Sequence, residues 1–216
     1  MSISSFPMAG AGLELWAQNL ECQRGDAILF SGVNFRLVSG QILQVEGANG
    51  SGKTSLLRIL AGLSPPSAGD VLWRGERIGR RRAAFSEEIA YLGHQLGLKA
   101  ELSVRENLHW ACALKARAHG LEQVGPALAR VGLAGREDVP VRALSAGQRQ
   151  RIGLARLVSS GAALWILDEP FTALDAAGIA VAHQLLEEHV ERGGLAVVTS
   201  HQAIQLRTGP FKLQLG

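Results

Sequence analysis

The residues best suited to chemistry in this sequence form one glycine-rich segment that also carries a lysine and hydroxyl side chains. The segment has the spacing G-x-x-x-x-G-K-[ST] from Gly47 to Thr54. Glycines let the backbone N–H groups face inward around an anion, and Lys53 can then reach the β- and γ-phosphates of a nucleotide while Thr54 offers a hydroxyl to Mg²⁺. The segment predicts a nucleoside triphosphate site made by Gly47, Ala48, Asn49, Gly50, Ser51, Gly52, Lys53, Thr54 and Ser55.

Two carboxylates follow an apolar run later in the chain. Residues 164–167 are Leu-Trp-Ile-Leu, which is typical of a strand covered on both faces, and Asp168 and Glu169 come directly after them. Ligands of open α/β sheets bind at the carboxyl ends of the strands. We therefore expect Asp168 to hold Mg²⁺ and Glu169 to activate the attacking water as a general base. Because Glu-Pro often begins a turn, a polar strand end without a catalytic role is the alternative reading of this pair taken alone.

The elements that must position these groups alternate between strand and helix. Strands are predicted over 13–21, 28–38, 42–46, 71–73, 163–167 and 195–199, and helices over 55–61, 103–136 with a break at Gly120, 146–158 and 176–191. This order indicates an open α/β sheet. An antiparallel β subdomain is expected at the N-terminus, and a helical subdomain is expected as an insertion at about 96–145. We expect residues 1–216 to form a single domain.

Composition and charge narrow the classes of partner. The chain has 216 residues, of which 47% are hydrophobic, and its formal net charge of +3 is too small to indicate nucleic acid binding. Five arginines cluster, and they form either a solvated face or a docking surface for acidic headgroups or a partner. They are Arg74, Arg77, Arg80, Arg81 and Arg82. Cys22 and Cys112 have no spacing that favours a metal site or a disulfide framework, which fits a reducing compartment.

No segment is predicted to enter a membrane. Residues 1–12 lack the charged and apolar regions of a signal peptide, and no apolar run approaches the ~20 residues that a spanning helix needs. Any membrane association is therefore expected to be peripheral, through a partner.

Further segments give the chain a family resemblance. Residues 144–148, Leu-Ser-Ala-Gly-Gln, resemble the LSGGQ signature of ABC ATPases, with Ala146 in place of a glycine. Gln95, residues 172–175 (Thr-Ala-Leu-Asp) and His201 stand in the order of that family's Q-loop, D-loop and H-switch. The resemblance implies an α/β fold with a P-loop NTPase core on a RecA-like sheet. It also implies ATP as the nucleotide and a homodimer that closes head to tail around two MgATP.

The same resemblance implies roles for individual residues. Ser145 and Gly147 face the γ-phosphate bound by the opposite subunit, and Asp175, the acid of the D-loop, also contacts the nucleotide. Gln95 completes the Mg²⁺ shell, and His201 contacts the γ-phosphate. One departure concerns the base, because Arg24 stands where the family has an aromatic residue that stacks on adenine. A guanidinium can also stack on a base, and Phe30 is a nearby alternative.

Within the family, the sequence is most similar to the ATP-binding subunits of the haem exporters of bacterial cytochrome c maturation. Residues 164–173, Leu-Trp-Ile-Leu-Asp-Glu-Pro-Phe-Thr-Ala, carry this likeness most strongly, together with residues 92–99. It implies integral membrane subunits as partners, at the cytoplasmic face of the inner membrane. The implied work is haem export or the release of a haem-loaded chaperone.

Three alternatives remain. The first is an ABC exporter with a different cargo. A soluble ABC ATPase acting on DNA or ribosomes is disfavoured, because the insertion shows no heptad seam and the chain has one nucleotide motif. A regulatory module with a decayed site is also disfavoured, because Lys53, Asp168, Glu169 and His201 are all present.

Overall fold

Two β-sheets organise the chain in the computed structural model, which describes residues 12–113, 124–200, 204, 206, 207 and 209–216. The first sheet is antiparallel, with the strand order β2-β1-β4-β5. Its strands are β1 (Glu14–Arg24), β2 (Ala27–Val38), β4 (Ala68–Trp73) and β5 (Glu76–Arg77). The predicted antiparallel sheet at the N-terminus is therefore present, and β4 begins three residues earlier than predicted.

The second sheet is parallel and has the order β6-β7-β8-β3-β9. Its strands are β3 (Ile42–Gly47), β6 (Ile89–Leu92), β7 (Leu164–Asp168), β8 (Leu195–Thr199) and β9 (Phe211–Leu215). Every residue of β7 and β8 is buried, as their continuous apolar sequences predict. Because all five strands are parallel, their carboxyl ends lie at one edge of the sheet, where Gly47 and Asp168 are found.

Helices cover the parallel sheet, and two of them lie in the predicted insertion. They are α1 (Lys53–Leu60), α2 (Arg82–Glu88), α3 (Val104–Ala113), α4 (Val124–Arg130), α5 (Ala146–Ser159) and α6 (Ala176–Glu191). The insertion follows β6 and contains α3 and α4. Residues 131–136, predicted as helix, are turns in the structure, and the predicted break at Gly120 lies outside the described residues. Gly132, two residues beyond Arg130, has positive φ, as is common just past a helix C-terminus, and Gly135 also has positive φ, so the helix does not continue.

The strands of the parallel sheet bury alternate residues on its two faces. Ile166 and Val197 belong to a hydrophobic cluster shared with α1 and the antiparallel sheet. Their neighbours Leu167 and Val198 belong to a second cluster, shared with α3, α4, α5 and α6. Burial on both faces holds the strand ends, and the site residues on them, in fixed positions. None of the described helices is long and apolar enough to cross a membrane.

Candidate nucleotide site

The glycine-rich segment connects β3 to α1 at the carboxyl edge of the parallel sheet. Gly47 has φ +152°, and a Cβ placed on it would lie 2.5 Å from the carbonyl oxygen of Leu215 on β9. Gly52 precedes α1 with φ +94°, and its Cβ would lie 2.9 Å from the ring of Phe30. Both positions therefore require glycine, for backbone conformation and for space. The loop therefore packs against β9 at Gly47 and against β2 at Gly52.

Lys53 opens α1, and its side chain turns back over the loop. Its Nζ donates hydrogen bonds to the carbonyl oxygens of Gly47, at 2.7 Å, and Ala48, at 3.1 Å. These oxygens are neutral, so they orient the ammonium group without cancelling its charge. The lysine is therefore placed at the mouth of the loop, where phosphate oxygens can replace the carbonyls as stronger, charged acceptors.

Asp168 connects the glycine-rich loop to the central strands. Its Oδ2 accepts a hydrogen bond of 2.8 Å from the Thr54 hydroxyl, and its Oδ1 accepts one of 2.8 Å from the Thr199 hydroxyl. The side chain is buried, with a relative exposure of 4%. A carboxylate beside a hydroxyl is a set of hard oxygen donors that fits Mg²⁺, which usually takes one or two protein ligands and fills its shell with water and substrate phosphates. Thr54 and Asp168, two of the residues predicted to bind Mg²⁺, are thus brought together.

Glu169 has an unusual backbone conformation at the end of β7. Its φ of +52° lies in the left-handed region, which costs a residue with a side chain roughly 1–2 kcal/mol. Its N–H donates a 2.9 Å hydrogen bond to the Thr199 hydroxyl, and its carbonyl accepts from the N–H of Thr172 at 3.2 Å. These bonds hold the strained turn in place. Strain of this kind is common where a side chain must be aimed at a reacting group.

A cavity of about 170 Å³ lies in front of the two carboxylates. Its lining combines four of the predicted segments: the carboxylates, the residues beside Gln95, the start of α5 and the segment 172–175. The lining residues include His94, Ala146, Gln150, Asp168, Glu169 and Ala173. Gln95 itself is exposed and lies three residues beyond β6, the strand next to β7. The predicted catalytic residue His201 lies outside the described residues.

The predicted signature segment forms the N-terminus of α5. Ser145 caps the helix: its hydroxyl accepts from the N–H of Gln148 at 3.2 Å, and the Gln148 side chain accepts from the N–H of Ser145 at 2.9 Å. The Ser cap that the sequence indicates is therefore confirmed. A Cβ on Gly147 would lie 2.7 Å from the carbonyl oxygen of Ala173, so glycine permits a close approach of the segment after Glu169. Ser145 and Ala146 are exposed, leaving this helix end accessible.

Asp175 caps α6 within its own chain. Its carboxylate accepts from the N–H of Gly178 at 2.8 Å and pairs with Arg151 of α5 at 2.6 Å. The Gly178 N–H and the Arg151 guanidinium together lower the pKa of Asp175 below its usual range. The predicted contact of Asp175 with nucleotide remains a prediction, because the structure shows only its bonds within the chain.

The structure places Arg24 and Phe30 differently relative to the loop. Arg24 is exposed at the end of β1, whereas Phe30 is only 7% exposed and packs in the core against Gly52. A buried ring cannot offer its face to a base, so Phe30 supports the loop. Arg24 therefore remains the candidate for stacking on adenine.

The arginine cluster is largely neutralised by neighbouring carboxylates. Its ion pairs are Arg74–Glu88 at 2.7 Å, Arg77–Asp70 at 3.0 Å and Arg81–Glu76 at 3.0 Å. Exposed pairs of this kind favour the solvated face over a site for acidic headgroups.

Sequence reasoning missed three residues that organise the site. Thr199 bonds both carboxylate residues, and Gln150 donates from α5 to the carbonyl of Pro170 at 2.8 Å. Arg151 joins α5 to Asp175 and to the carbonyl of Val131 after α4. Only Thr199 had a usable signal: it ends a buried strand that the β-α order places beside Asp168.

The fold and the site define the class of protein. The sequence pattern of the ABC transporter family matches residues 30–172, two thirds of the chain, and the chain belongs to that family. It is an ATP-binding protein of the CcmA type within it. The chain is 58% identical over 193 residues to the cytochrome c biogenesis ATP-binding export protein CcmA of Methylococcus capsulatus, covering 89% of this chain and 93% of that relative.

Solved structures share the fold at lower sequence identity. The ATP-binding subunit of an ABC transporter matches with a TM-score of 0.83 and 23% identity, covering 93% of this chain and 85% of that one. A dimeric ATP-binding cassette, MJ0796 bound to ADP and Pi, matches with a TM-score of 0.78 and 23% identity, covering 93% and 94%. These likenesses confirm the predicted α/β P-loop fold.

Proposed function

We propose that this chain is the ATP-hydrolysing subunit of an export complex that serves cytochrome c biogenesis, where hydrolysis drives haem export or the release of a haem-loaded chaperone. The observation that carries this proposal is the 58% identity, over 89% of the chain, to a cytochrome c biogenesis ATP-binding export protein. The Thr54–Asp168 bond supports it at the site, because it joins the phosphate loop to the carboxylate strand. An exporter with another cargo is the alternative.

The proposed nucleotide site uses groups already held in place. The loop N–H groups and Lys53 bind the β- and γ-phosphates of ATP, and Thr54, Asp168 and Gln95 hold Mg²⁺. When bound, Mg²⁺ neutralises charge on the β- and γ-phosphate oxygens. The Thr54 and Asp168 oxygens are 2.8 Å apart in the structure, so both can face one small cation after a slight adjustment.

The proposed hydrolysis depends on Glu169. Its carboxylate accepts the proton of the attacking water, and His201 stabilises the negative charge that develops on the γ-phosphate. The bonds of the Glu169 backbone to Thr199 and Thr172 support this role, because they fix the turn from which the side chain projects. The cavity in front of Asp168 and Glu169 gives room for the water.

The proposed assembly is a homodimer closed head to tail around two ATP molecules. The N-terminus of α5, with the exposed Ser145 and the half-buried Gly147, presents the positive end of a helix dipole to a phosphate. Each α5 then contacts the γ-phosphate bound by the other subunit, with Asp175 beside it. Support comes from the structural neighbour MJ0796, which is described as dimeric with ADP and Pi. Loss of the γ-phosphate removes the contact and opens the dimer.

The proposed membrane partners contact the insertion after β6. A cavity of about 310 Å³ there is lined by Glu87, Leu98 and Trp110, among others, and Trp110 is 52% exposed. An exposed indole beside polar groups is typical of an interface anchor. Since Gln95 directly precedes this surface, opening of the nucleotide site can be transmitted to an integral membrane subunit. In this proposal residues 1–216 act as one nucleotide-binding domain, peripheral to the cytoplasmic face of the inner membrane.

The test is Glu169→Gln, introduced into the chromosomal copy of the source bacterium and also into the purified chain. The purified variant is expected to bind ATP but hydrolyse it on the order of 100-fold more slowly, since general-base catalysis contributes 10²–10⁴-fold. In cells, staining of membranes for covalently bound haem should show loss of c-type cytochromes with b-type cytochromes intact. Glu76→Gln, a half-exposed carboxylate paired with Arg81, is the matched control and should have no effect in either assay.

The outcomes separate the two parts of the proposal. Normal ATP turnover by Glu169→Gln contradicts the general-base assignment. If turnover is lost but c-type cytochromes persist, the chain is an ABC ATPase and its cargo is not connected with cytochrome c.

A further inference from the structure

We propose that Thr199 is a positioning residue whose single hydroxyl sets the relative orientation of the Mg²⁺-binding carboxylate and the general base. Nothing in the sequence motifs assigns this residue a function. The inference rests on the ATP-hydrolysing site proposed above, and it adds a residue from a strand that carries none of that site's motifs.

The position of Thr199 follows from the strand register. Thr199 ends β8 and is paired with Asp168, which ends the parallel neighbour β7. Paired residues of adjacent strands project to the same face of a sheet, so the hydroxyl and the carboxylate lie side by side. Thr199 is completely buried, and Asp168 is 4% exposed. Water therefore has little access with which to replace this contact.

The directions of the two hydrogen bonds are determined by chemistry. The Glu169 N–H can only donate, and it reaches the Thr199 Oγ1 at 2.9 Å. The Asp168 carboxylate accepts, and its Oδ1 lies 2.8 Å from the same Oγ1. The hydroxyl thus accepts from one catalytic residue and donates to the next. A valine of the same shape would leave a half-buried N–H and a buried carboxylate oxygen without these partners, which costs free energy.

Each bond has a distinct effect on the site. The bond to Asp168 occupies Oδ1, so that Oδ2 faces Thr54 of the phosphate loop. The bond from Glu169 stabilises a backbone with φ +52°, which no β-strand geometry would otherwise favour. Without the hydroxyl, the carboxylate can rotate and the turn can relax toward an ordinary conformation. Both changes misplace the groups that act on the γ-phosphate, while the phosphate loop itself stays intact.

The experiment compares the full chain with Thr199→Val, which removes the hydroxyl, and Thr199→Ser, which retains it. Val197→Ala, on the same fully buried strand, controls for a general loss of packing. Three quantities are measured: kcat for ATP hydrolysis, the enhancement of ATP affinity by Mg²⁺, and hydrogen exchange of the Glu169 amide by NMR without nucleotide or metal. The last quantity reports the proposed bond directly and does not depend on activity.

Thr199→Val is expected to lower kcat by roughly 10- to 100-fold. It should also reduce the Mg²⁺ enhancement of ATP affinity and remove the protection of the Glu169 amide. Thr199→Ser should restore all three, and Val197→Ala should keep the protection and the Mg²⁺ response. Unchanged protection and turnover in Thr199→Val overturn the inference, as does a Val197→Ala variant with the same defects.

Failure of the proposed function is distinguishable from failure of this inference. If the wild-type chain shows no ATP hydrolysis, the proposed enzymatic role fails. The amide exchange and Mg²⁺ affinity measurements still decide whether the Thr199 hydroxyl fixes Asp168 and Glu169.

Discussion

Single residues determine the shape of the phosphate loop. Gly50 and Gly52 both have positive φ, at +85° and +94°, so alanine strains the backbone at either position. They differ in their surroundings, because a Cβ on Gly50 would meet nothing within 4 Å, whereas one on Gly52 would press against Phe30 and Leu29. Alanine substitutions at these two positions therefore separate the free-energy cost of backbone strain from the cost of a steric clash.

We therefore predict a larger effect for Gly52→Ala than for Gly50→Ala. The clash with the buried Phe30 ring should lower the free energy of unfolding by about 1–3 kcal/mol beyond the backbone strain that both variants share. Urea unfolding of the two purified variants without nucleotide measures the difference. Equal losses of stability would show that the Phe30 ring moves aside freely and does not constrain the loop.

At the scale of secondary structure elements, most strands and helices could be predicted from their sequence patterns, whereas β5, α2, β6 and β9 were not predicted. The apolar runs of β7 and β8 and the Ser cap of α5 gave clear signals. The four residues of β6 follow α2 directly, so a short apolar run had no turn residues to mark it. In β9, Phe211 and Lys212 are both exposed, which obscures the alternation of an edge strand.

The difference between local sequence patterns and contacts made only in the folded chain also explains which residues of the site could be predicted. Residues such as Lys53, Thr54 and Asp168 stand in motifs whose residue types identify them. Thr199 and Gln150 act only because the fold brings β8 and α5 against the end of β7, which no local pattern encodes. The contact of Gly147 with Ala173 is of this second kind, and it makes the position of α5 depend on the turn after Glu169.

We predict that Gly147→Ala weakens this contact between elements. The added methyl group must push α5 away from the Ala173 carbonyl, because backbone on both sides leaves no flexible atom to move. The expected result is a loss of about 1–3 kcal/mol in stability and a lower rate of ATP hydrolysis. Gly125→Ala in α4 is the control, since nothing lies within 4 Å of its Cβ and alanine favours a helix. A Gly147→Ala chain as stable and active as Gly125→Ala would contradict the prediction.

At the scale of the whole molecule, a half-buried histidine connects stability to pH. His189 of α6 stacks on Trp165 of β7, with ring centroids 4.0 Å apart, and its Nε2 lies 3.0 Å from the carbonyl oxygen of Leu195. Burial lowers the pKa of His189 from 6.5 to about 4, outweighing the opposing effect of the backbone carbonyls. Burial also lowers the pKa of His183 on the same helix.

The sign of the effect follows from which state binds protons. Well above pH 6.5, His189 is neutral in both the folded and the unfolded chain and contributes no pH dependence. As the pH falls from 6.5 toward 4, the unfolded chain takes up a proton at this residue and the folded chain does not. The free energy of unfolding therefore decreases with acid, by about 2 kcal/mol from this residue between pH 7 and pH 5.

His189→Phe tests this linkage, because phenylalanine keeps a flat ring against Trp165 and cannot take up a proton. We expect the variant to be less stable than wild type at pH 7, since the bond to the Leu195 carbonyl is lost, yet to lose less stability on acidification. Urea unfolding at pH 7, 6 and 5 gives the slopes of both chains, and the smaller contribution of His183 is common to them. If the two slopes are the same, protonation of His189 does not account for the loss of stability in acid, and the packing of α6 on the sheet does not determine it.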